Sequence, residues 1–163
     1  VEDPALAVET AAECGTEVEV ASARTAWDTL YATPDGGSRV ETSAGAVRTR
    51  ADDGDWRPID TALVPGESGI EVSAPVWPMV FSDGTAGQPL ATIERDGHVL
   101  EFDVPFELPA PRVDGATVTY SEVLPGVDLI ASVNEDGTGF SEVLRVASPE
   151  AAMRSATGQR STS

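Results

Sequence analysis

Residues 120–144 read YSEVLPGVDLIASVNEDGTGFSEVL, and this stretch decides the fold class. Val127, Leu129, Ala131 and Val133 alternate with other residues at a period of two, which predicts a strand with one packed face and one solvated face. Asp136-Gly137 follows directly, and Asp-Gly favours the positive φ angles of tight hairpin turns. The stretch therefore predicts antiparallel strands joined by a hairpin.

The same combination of signals recurs along the chain. Comparable alternation is found at Val18/Val20, Val40/Thr42, Ile70/Val72/Ala74 and Leu100/Phe102/Val104. The six Asp-Gly dipeptides are Asp35-Gly36, Asp53-Gly54, Asp83-Gly84, Asp96-Gly97, Asp114-Gly115 and Asp136-Gly137. A sandwich or a flattened barrel buries many one-faced strands. We predict an all-β fold, an antiparallel β-sandwich of hairpins joined by Asp-Gly turns.

The 17–147 region is predicted to be one β-sandwich module with short segments on either side. Residues 1–16 are acidic, and Asp3 followed by Pro4 predicts a short helix over Pro4–Glu13. Residues 148–163 are predicted to form a short helix or a disordered tail, with disorder expected over 155–163. Because the chain begins at Val1 and ends without a final strand, we expect it to be a segment of something longer.

The negative net charge of the chain limits the classes of molecule that it is expected to bind. The 163 residues contain 28 acidic residues and ten basic ones, all of them Arg, for a formal net charge of −18. Such a field repels phosphate backbones and anionic lipid, so we expect neither nucleic-acid binding nor membrane insertion. Cys14 is the single cysteine and excludes an internal disulfide. We interpret it as an incidental thiol, with pairing to another chain as the alternative.

Two glutamates form the sharpest catalytic hypothesis. Glu122 and Glu142 occupy equivalent positions in the two aromatic-S-E-V-L copies, at Tyr120–Leu124 and Phe140–Leu144. In regular strands each carboxylate would share a face with apolar neighbours, and two facing carboxylates about 5–10 Å apart are the arrangement of glycosidases. The alternative is a bulge or edge position that turns each Glu to solvent. His98 follows a turn, and the sequence contains no Gly-x-Ser-x-Gly nucleophile elbow with which it could form a catalytic triad. We interpret it as a surface residue.

The remaining polar and aromatic residues are candidates for metal and ligand sites. Asp52–Asp55 and Asn134–Gly137 offer oxygen donors but do not match a calcium loop, so we predict solvated turns, no metal and no cofactor. Trp27, Trp56 and Trp77 could stack on sugar rings or serve as core anchors. Trp77 is favoured for sugar binding because it lies between two prolines in a predicted loop.

The order of segments from Glu17 to Ala147 resembles a known module. The matching segments are VEVASART at Val18–Thr25, YATPDG at Tyr31–Gly36, SAGAVRTR at Ser43–Arg50, DWRPIDTAL at Asp55–Leu63, LPAP at Leu108–Pro111, YSEVLPGVDL at Tyr120–Leu129 and GFSEVLRV at Gly139–Val146. They are similar to the N-terminal β-rich region of large secreted actinobacterial proteins with RHS/YD-repeat, LamG-like or DNRLRE domains downstream.

The resemblance implies a secreted or cell-surface protein with a non-catalytic β module. On this interpretation the module has a structural or interaction role in a larger surface or toxin-delivery protein, and its partners are downstream domains of the same polypeptide. A carbohydrate-binding module for cell-wall or extracellular polysaccharide is the alternative. A glycoside hydrolase fragment using Glu122 and Glu142 is the third hypothesis.

Overall fold

Strand β13 (Val127–Val133) has the packed face that its alternating sequence predicts. Its odd-numbered residues Val127, Leu129, Ala131 and Val133 are all buried, whereas the side chains between them are half-buried. It pairs antiparallel with β12 (Thr117–Leu124) on one side and with β14 (Phe140–Val146) on the other. The strand therefore lies inside a sheet and contributes one face to the core.

The computed structural model describes residues 1–158, with four antiparallel sheets. The all-β fold class is confirmed. The structure differs from the single module expected over 17–147, because the chain divides into two compact units, Val1–Pro58 and Ile59–Ser163. Within the described residues, no helix combines the length and the apolar composition needed to cross a membrane.

The unit that begins at Ile59 contains a five-stranded sheet, a four-stranded sheet and one helix. Besides β12, β13 and β14, its elements are β6 (Asp60–Pro65), β7 (Ile70–Ala74), β8 (Met79–Phe81), β9 (Ala91–Arg95), β10 (His98–Phe102), β11 (Arg112–Asp114) and α2 (Pro149–Gly158). The sheet orders are β10-β9-β8-β7-β6 and β11-β12-β13-β14. Side chains of both sheets form one core, which gives this unit the predicted sandwich-like arrangement.

Tyr120 shows how this core accommodates a polar group. Its side chain is fully buried among apolar residues, and its hydroxyl donates a hydrogen bond of 2.7 Å to the carbonyl oxygen of Ser82. Burial raises the pKa of the Tyr120 phenol, so the neutral form is retained. The bond joins the four-stranded sheet to the loop that follows β8.

The unit that ends at Pro58 is smaller and contains one α-helix, a short 3-10 helix at Ala21–Ala23, a three-stranded sheet and a two-stranded ribbon. Its elements are α1 (Pro4–Cys14), β1 (Val18–Glu19), β2 (Asp28–Ala32), β3 (Ser38–Thr42), β4 (Thr49–Arg50) and β5 (Trp56–Arg57). Asp3 caps α1 by accepting a hydrogen bond of 2.8 Å from the Ala5 N–H. Ala7 and Ala11 lie one turn apart on α1 and are fully buried against a small apolar cluster.

Every Asp-Gly dipeptide lies between two antiparallel neighbouring strands, as predicted. The joined pairs are β2/β3, β4/β5, β8/β9, β9/β10, β11/β12 and β13/β14. Each of the six glycines has a positive φ. At Asp96-Gly97 both residues do, with φ of 51° and 76°, which matches the tightest hairpin turns.

Alternation fails to give a packed face in the edge strands. Val40 in β3 is 60% exposed and Leu100 in β10 is 57% exposed, although both belong to predicted one-faced strands. Each strand lies at the edge of its sheet, where the polypeptide covers fewer of its side chains. The two aromatic-S-E-V-L copies lie on β12 and β14, which are not neighbours because β13 separates them, so Glu122 and Glu142 are not cross-strand partners.

The C-terminal prediction falls partly outside the described residues. Helix α2 extends over Pro149–Gly158 and thus includes residues 155–158, where disorder was expected. Residues 159–163 of the predicted tail lie outside the described part of the chain.

Gly84 should tolerate a side chain much less well than Gly97. A Cβ on Gly84 would lie 2.6 Å from the Ala110 nitrogen and 2.7 Å from its Cα, whereas Gly97 has nothing within 4 Å. Gly97→Ala should cost about 1–2 kcal/mol of unfolding free energy for its left-handed backbone. Gly84→Ala should cost roughly 1–3 kcal/mol more, because backbone atoms must shift. Urea unfolding of both variants measures the difference, and equal losses would contradict the close approach.

Candidate functional site

Trp56 lies in the two-stranded ribbon, directly after the Asp53-Gly54 turn. In this ribbon Arg50 pairs with Trp56, and Thr49 pairs with Arg57. The Arg50 guanidinium lies over the indole, 5.5 Å from the ring centroid, and its Nε donates a hydrogen bond to the Gly54 carbonyl oxygen. The short hairpin therefore holds a half-buried aromatic ring beside cationic side chains.

Two open hollows of about 300 Å³ each share Trp56 and Arg24 among their lining residues. The first, which we call the turn hollow, is lined by Glu2, Ala21, Ser22, Arg24, Arg50, Gly54, Asp55 and Trp56. The second, the Arg hollow, is lined by Glu19, Arg24, Val47, Arg48, Trp56, Arg57 and Pro58. The turn hollow has equal numbers of acidic and basic side chains, whereas the Arg hollow has three Arg and one Glu.

Glu19 and Arg24 form a two-point ion pair at the edge of the Arg hollow. The distances are 2.5 Å from Nε to Oε1 and 2.8 Å from the terminal nitrogen to Oε2. The hydrogen bonds from Arg24 hold the pKa of the Glu19 carboxyl below its usual value, and the charge of Arg48 contributes a smaller effect in the same direction. Glu19 is therefore ionised at neutral pH and offsets the charge of Arg24.

Arg48 is held by neutral oxygens. Its guanidinium donates hydrogen bonds to the carbonyl oxygens of Thr25 and Asp28 at 3.4 and 3.2 Å, and to the Thr29 hydroxyl at 2.7 Å. Among residues 1–158, neither Arg48 nor Arg57 takes part in an ion pair within 4.0 Å. No carboxylate within this distance therefore offsets either cation.

The other two tryptophans have different surroundings. Trp77 lies in the loop between β7 and β8, packs against the core, and has the Arg95 guanidinium carbon 4.3 Å from its ring centroid. One face of the Trp77 indole is therefore covered by Arg95, as Trp56 has Arg50 over its ring, but Trp77 in addition packs against the core. Trp27 is half-buried, and its backbone is fixed by the Thr25 hydroxyl and the Ser43 N–H. Neither Trp77 nor Trp27 is among the residues that line the two hollows.

The glutamates of the catalytic hypothesis are both exposed. Glu122 lies in a β-bulge with φ of 55°, and its N–H donates a hydrogen bond to the Asp128 carboxylate. Glu142 lies opposite Ala131 on the edge strand β14 and shares the core-side face, which is open to solvent at this point. The apolar burial that would prepare them for acid–base chemistry is missing at both positions.

In the acidic turns considered as calcium sites, Asp carboxylates accept hydrogen bonds from residues of the same turn. Asp53 accepts a hydrogen bond from the Asp55 N–H, and Asp136 accepts from both the N–H and the hydroxyl of Thr138. Over residues 1–158, no group of three or more His, Cys, Asp or Glu side chains is arranged to hold a metal ion. His98 is exposed on β10, and Cys14 is an exposed free thiol at the end of α1.

A third hollow, of about 320 Å³, lies in the sandwich unit, between the loop after β8 and the segment after β10. Its lining residues are Gly84, Thr85, Ala86, Gly87, Gln88, Asp103, Val104, Phe106, Glu107 and Leu108. The side chain of Gln88 already bonds to Ser82, Asp83 and Ser68 of the protein. This hollow carries two carboxylates and no cation, so it offers a ligand fewer donors than the Arg hollow does.

Comparison with known protein families, with curated proteins and with solved structures found no match. The candidate site therefore rests on its geometry alone. Sequence reasoning named Trp56 but missed Arg24, Arg48 and Arg57. One available signal was the local concentration of Arg at 48, 50 and 57, in a chain with only ten basic residues.

Arg24→Gln should raise the pKa of Glu19 toward its usual value, because the two hydrogen bonds that stabilise the carboxylate are lost. Arg48→Gln should raise it less. A lowered folded-state pKa stabilises the fold above the unfolded-state pKa, and this contribution is lost as the pH falls through the folded-state value. Carbon-detected NMR titration of the Glu19 carboxyl measures both shifts. An unchanged midpoint in Arg24→Gln would contradict the pairing.

Proposed function

We propose that this chain is a non-catalytic, extracellular interaction module that holds a saccharide at Trp56. The proposal combines the interaction role implied by the sequence resemblance with the carbohydrate-binding alternative. The observation that carries it is the position of Trp56, half-buried and shared by two open hollows with charged side chains around it. Secretion or display at the cell surface is part of the proposal.

The chemistry of a sugar ring suits this arrangement. A pyranose presents apolar C–H groups on its face and hydroxyl groups around its edge, so it needs an aromatic surface beside hydrogen-bonding side chains. Trp56 supplies the aromatic surface, while Arg24, Arg48 and Glu19 supply donors and acceptors at its side. The open form of both hollows leaves room for a polysaccharide chain to continue beyond the contacted residue.

Trp56→Leu should reduce glycan affinity about tenfold, since loss of an aromatic stacking contact is worth about 1.4 kcal/mol. Trp77→Leu is the matched control, because it makes the same substitution at a tryptophan outside both hollows. Glycan-array screening of the purified chain, followed by titration calorimetry, measures the effect on variants with unchanged melting temperatures. Binding to no glycan, or a loss confined to Trp77→Leu, would contradict the proposal.

A structural role in a larger polypeptide is the second candidate, and a specific feature of the sandwich unit favours it. Leu100, Leu144 and Val146 lie opposite the buried residues Ile93, Leu129 and Val127 and therefore face the core side of their sheets. They are nevertheless 57%, 52% and 41% exposed. We call these three residues the open side; a neighbouring domain of the same polypeptide would cover them.

If a further domain packs on the open side, backbone amides of β14 should exchange hydrogen more slowly in the longer polypeptide than in this chain alone. Amides of β3, another exposed edge strand, are the internal control and should not change. Hydrogen-exchange mass spectrometry measures both segments. The structural role is refuted by equal protection of β14 in the two proteins.

A further inference from the structure

The Arg hollow concentrates positive charge in a strongly acidic protein. The formal net charge of the chain is −18, yet three of its ten Arg side chains line this one hollow. Glu19 offsets the charge of Arg24, while Arg48 and Arg57 are in no ion pair of the described residues. Arg50 and Arg112 are likewise in no ion pair of the described residues, so the distinctive feature of the Arg hollow is that two such cations line it together.

Arg48 is positioned before any ligand arrives. Three hydrogen bonds to Thr25, Asp28 and Thr29 fix its guanidinium, and a guanidinium has five N–H donors in a rigid planar fork. Two donors therefore remain for an oxyanion, and little side-chain freedom is lost when one binds. Arg57 is exposed and supplies a second, adjustable cation at the same hollow.

We infer that the Arg hollow binds an anionic sugar, with its ring against Trp56 and its acidic group on Arg48 and Arg57. The inference rests on the proposed function, which it narrows to one class of saccharide. An Arg fork matches carboxylate and phosphate oxygens by two parallel hydrogen bonds, and these charge-assisted bonds are about twice as strong as neutral ones. A neutral sugar would leave both cations without an anion.

The negative field of the protein restricts the ligand further. A dense polyanion would bring many charges within about 10 Å, the screening length at 0.1 M salt, of an acidic surface. A single acidic residue among neutral sugars gains the local contact with Arg48 and Arg57 and avoids most of this repulsion. The expected ligand is therefore a polysaccharide with isolated acidic sugars, and heparin or nucleic acid should bind more weakly.

Oligosaccharides that differ only in charge test the inference. The probe is a trisaccharide with one galacturonate and two neutral sugars, and its methyl ester is the matched neutral ligand. The same trisaccharide with a sulfate or a phosphate ester in place of the carboxylate identifies the oxyanion that fits best. Calorimetry at 0.15 M salt should show binding of the acid at least tenfold tighter than binding of the ester.

Charge-removing variants locate the contact. Arg57→Gln should weaken binding of the acidic trisaccharide about tenfold and leave binding of the ester within twofold. Arg48→Gln should weaken binding of both ligands, and that of the acid more, because Arg48 also supplies donors to the neutral sugar. Arg57→Gln removes no hydrogen bond described in the protein, so it tests the site without disturbing the fold. Arg39→Gln is the control, because Arg39 belongs to the same unit, pairs with Glu17 and Glu41, and lies outside the hollow.

The outcomes separate this inference from the proposed function. Equal affinity for acid and ester, with both abolished by Trp56→Leu, would overturn the anionic ligand and retain the saccharide site. An equal loss in Arg39→Gln would also overturn it, because the effect would then reflect overall charge. Binding of neither trisaccharide nor any other glycan would overturn both proposals.

Discussion

The burial of one face of β13 is the constraint on which the sandwich unit depends. Val127, Leu129, Ala131 and Val133 all point into the core, and β13 pairs with a strand on each side. A shift of one residue in either pairing would turn these four side chains out of the core, so the register of both neighbours is specified. Glu122 lies where the register between β12 and β13 shifts, and Glu142 lies on the edge strand β14 opposite Ala131.

Electrostatics constrain the candidate site more tightly than shape does. Among the described residues, Arg48 and Arg57 line the same hollow and neither is in an ion pair. Neutral oxygens of Thr25, Asp28 and Thr29 accept the hydrogen bonds of Arg48. The same short hairpin holds the half-buried Trp56 and the exposed Arg57 at the Arg hollow, so the aromatic surface and the charge of Arg57 arise from one local element.

Local sequence signals predicted the strands and turns because their causes are local. The tight turn at Asp96-Gly97 depends on the positive φ angles that these two residues adopt. The alternation of apolar residues in β13 depends only on the burial of one face of that strand. Exposure at Val40 and Leu100 was not predictable in this way, because it depends on which strand lies at a sheet edge. The Arg hollow was missed for a similar reason, since Glu19 and Arg24 reach Trp56 only through the fold of the first unit. Trp77 was favoured from its flanking prolines, which carry no information about Arg95 over its ring.

The central claim is that Trp56, Arg48 and Arg57 act together on one anionic sugar. Nitrogen-15 NMR of the Trp indole N–H and Arg Nε–H groups, recorded while the galacturonate-containing trisaccharide is added, tests it most directly. The account predicts that Trp56, Arg48 and Arg57 shift along one saturation curve, while Trp77, Arg95 and Arg145 stay unchanged. Shifts centred on Trp77 and Arg95, or no shift at any of these groups at saturating ligand, would contradict it.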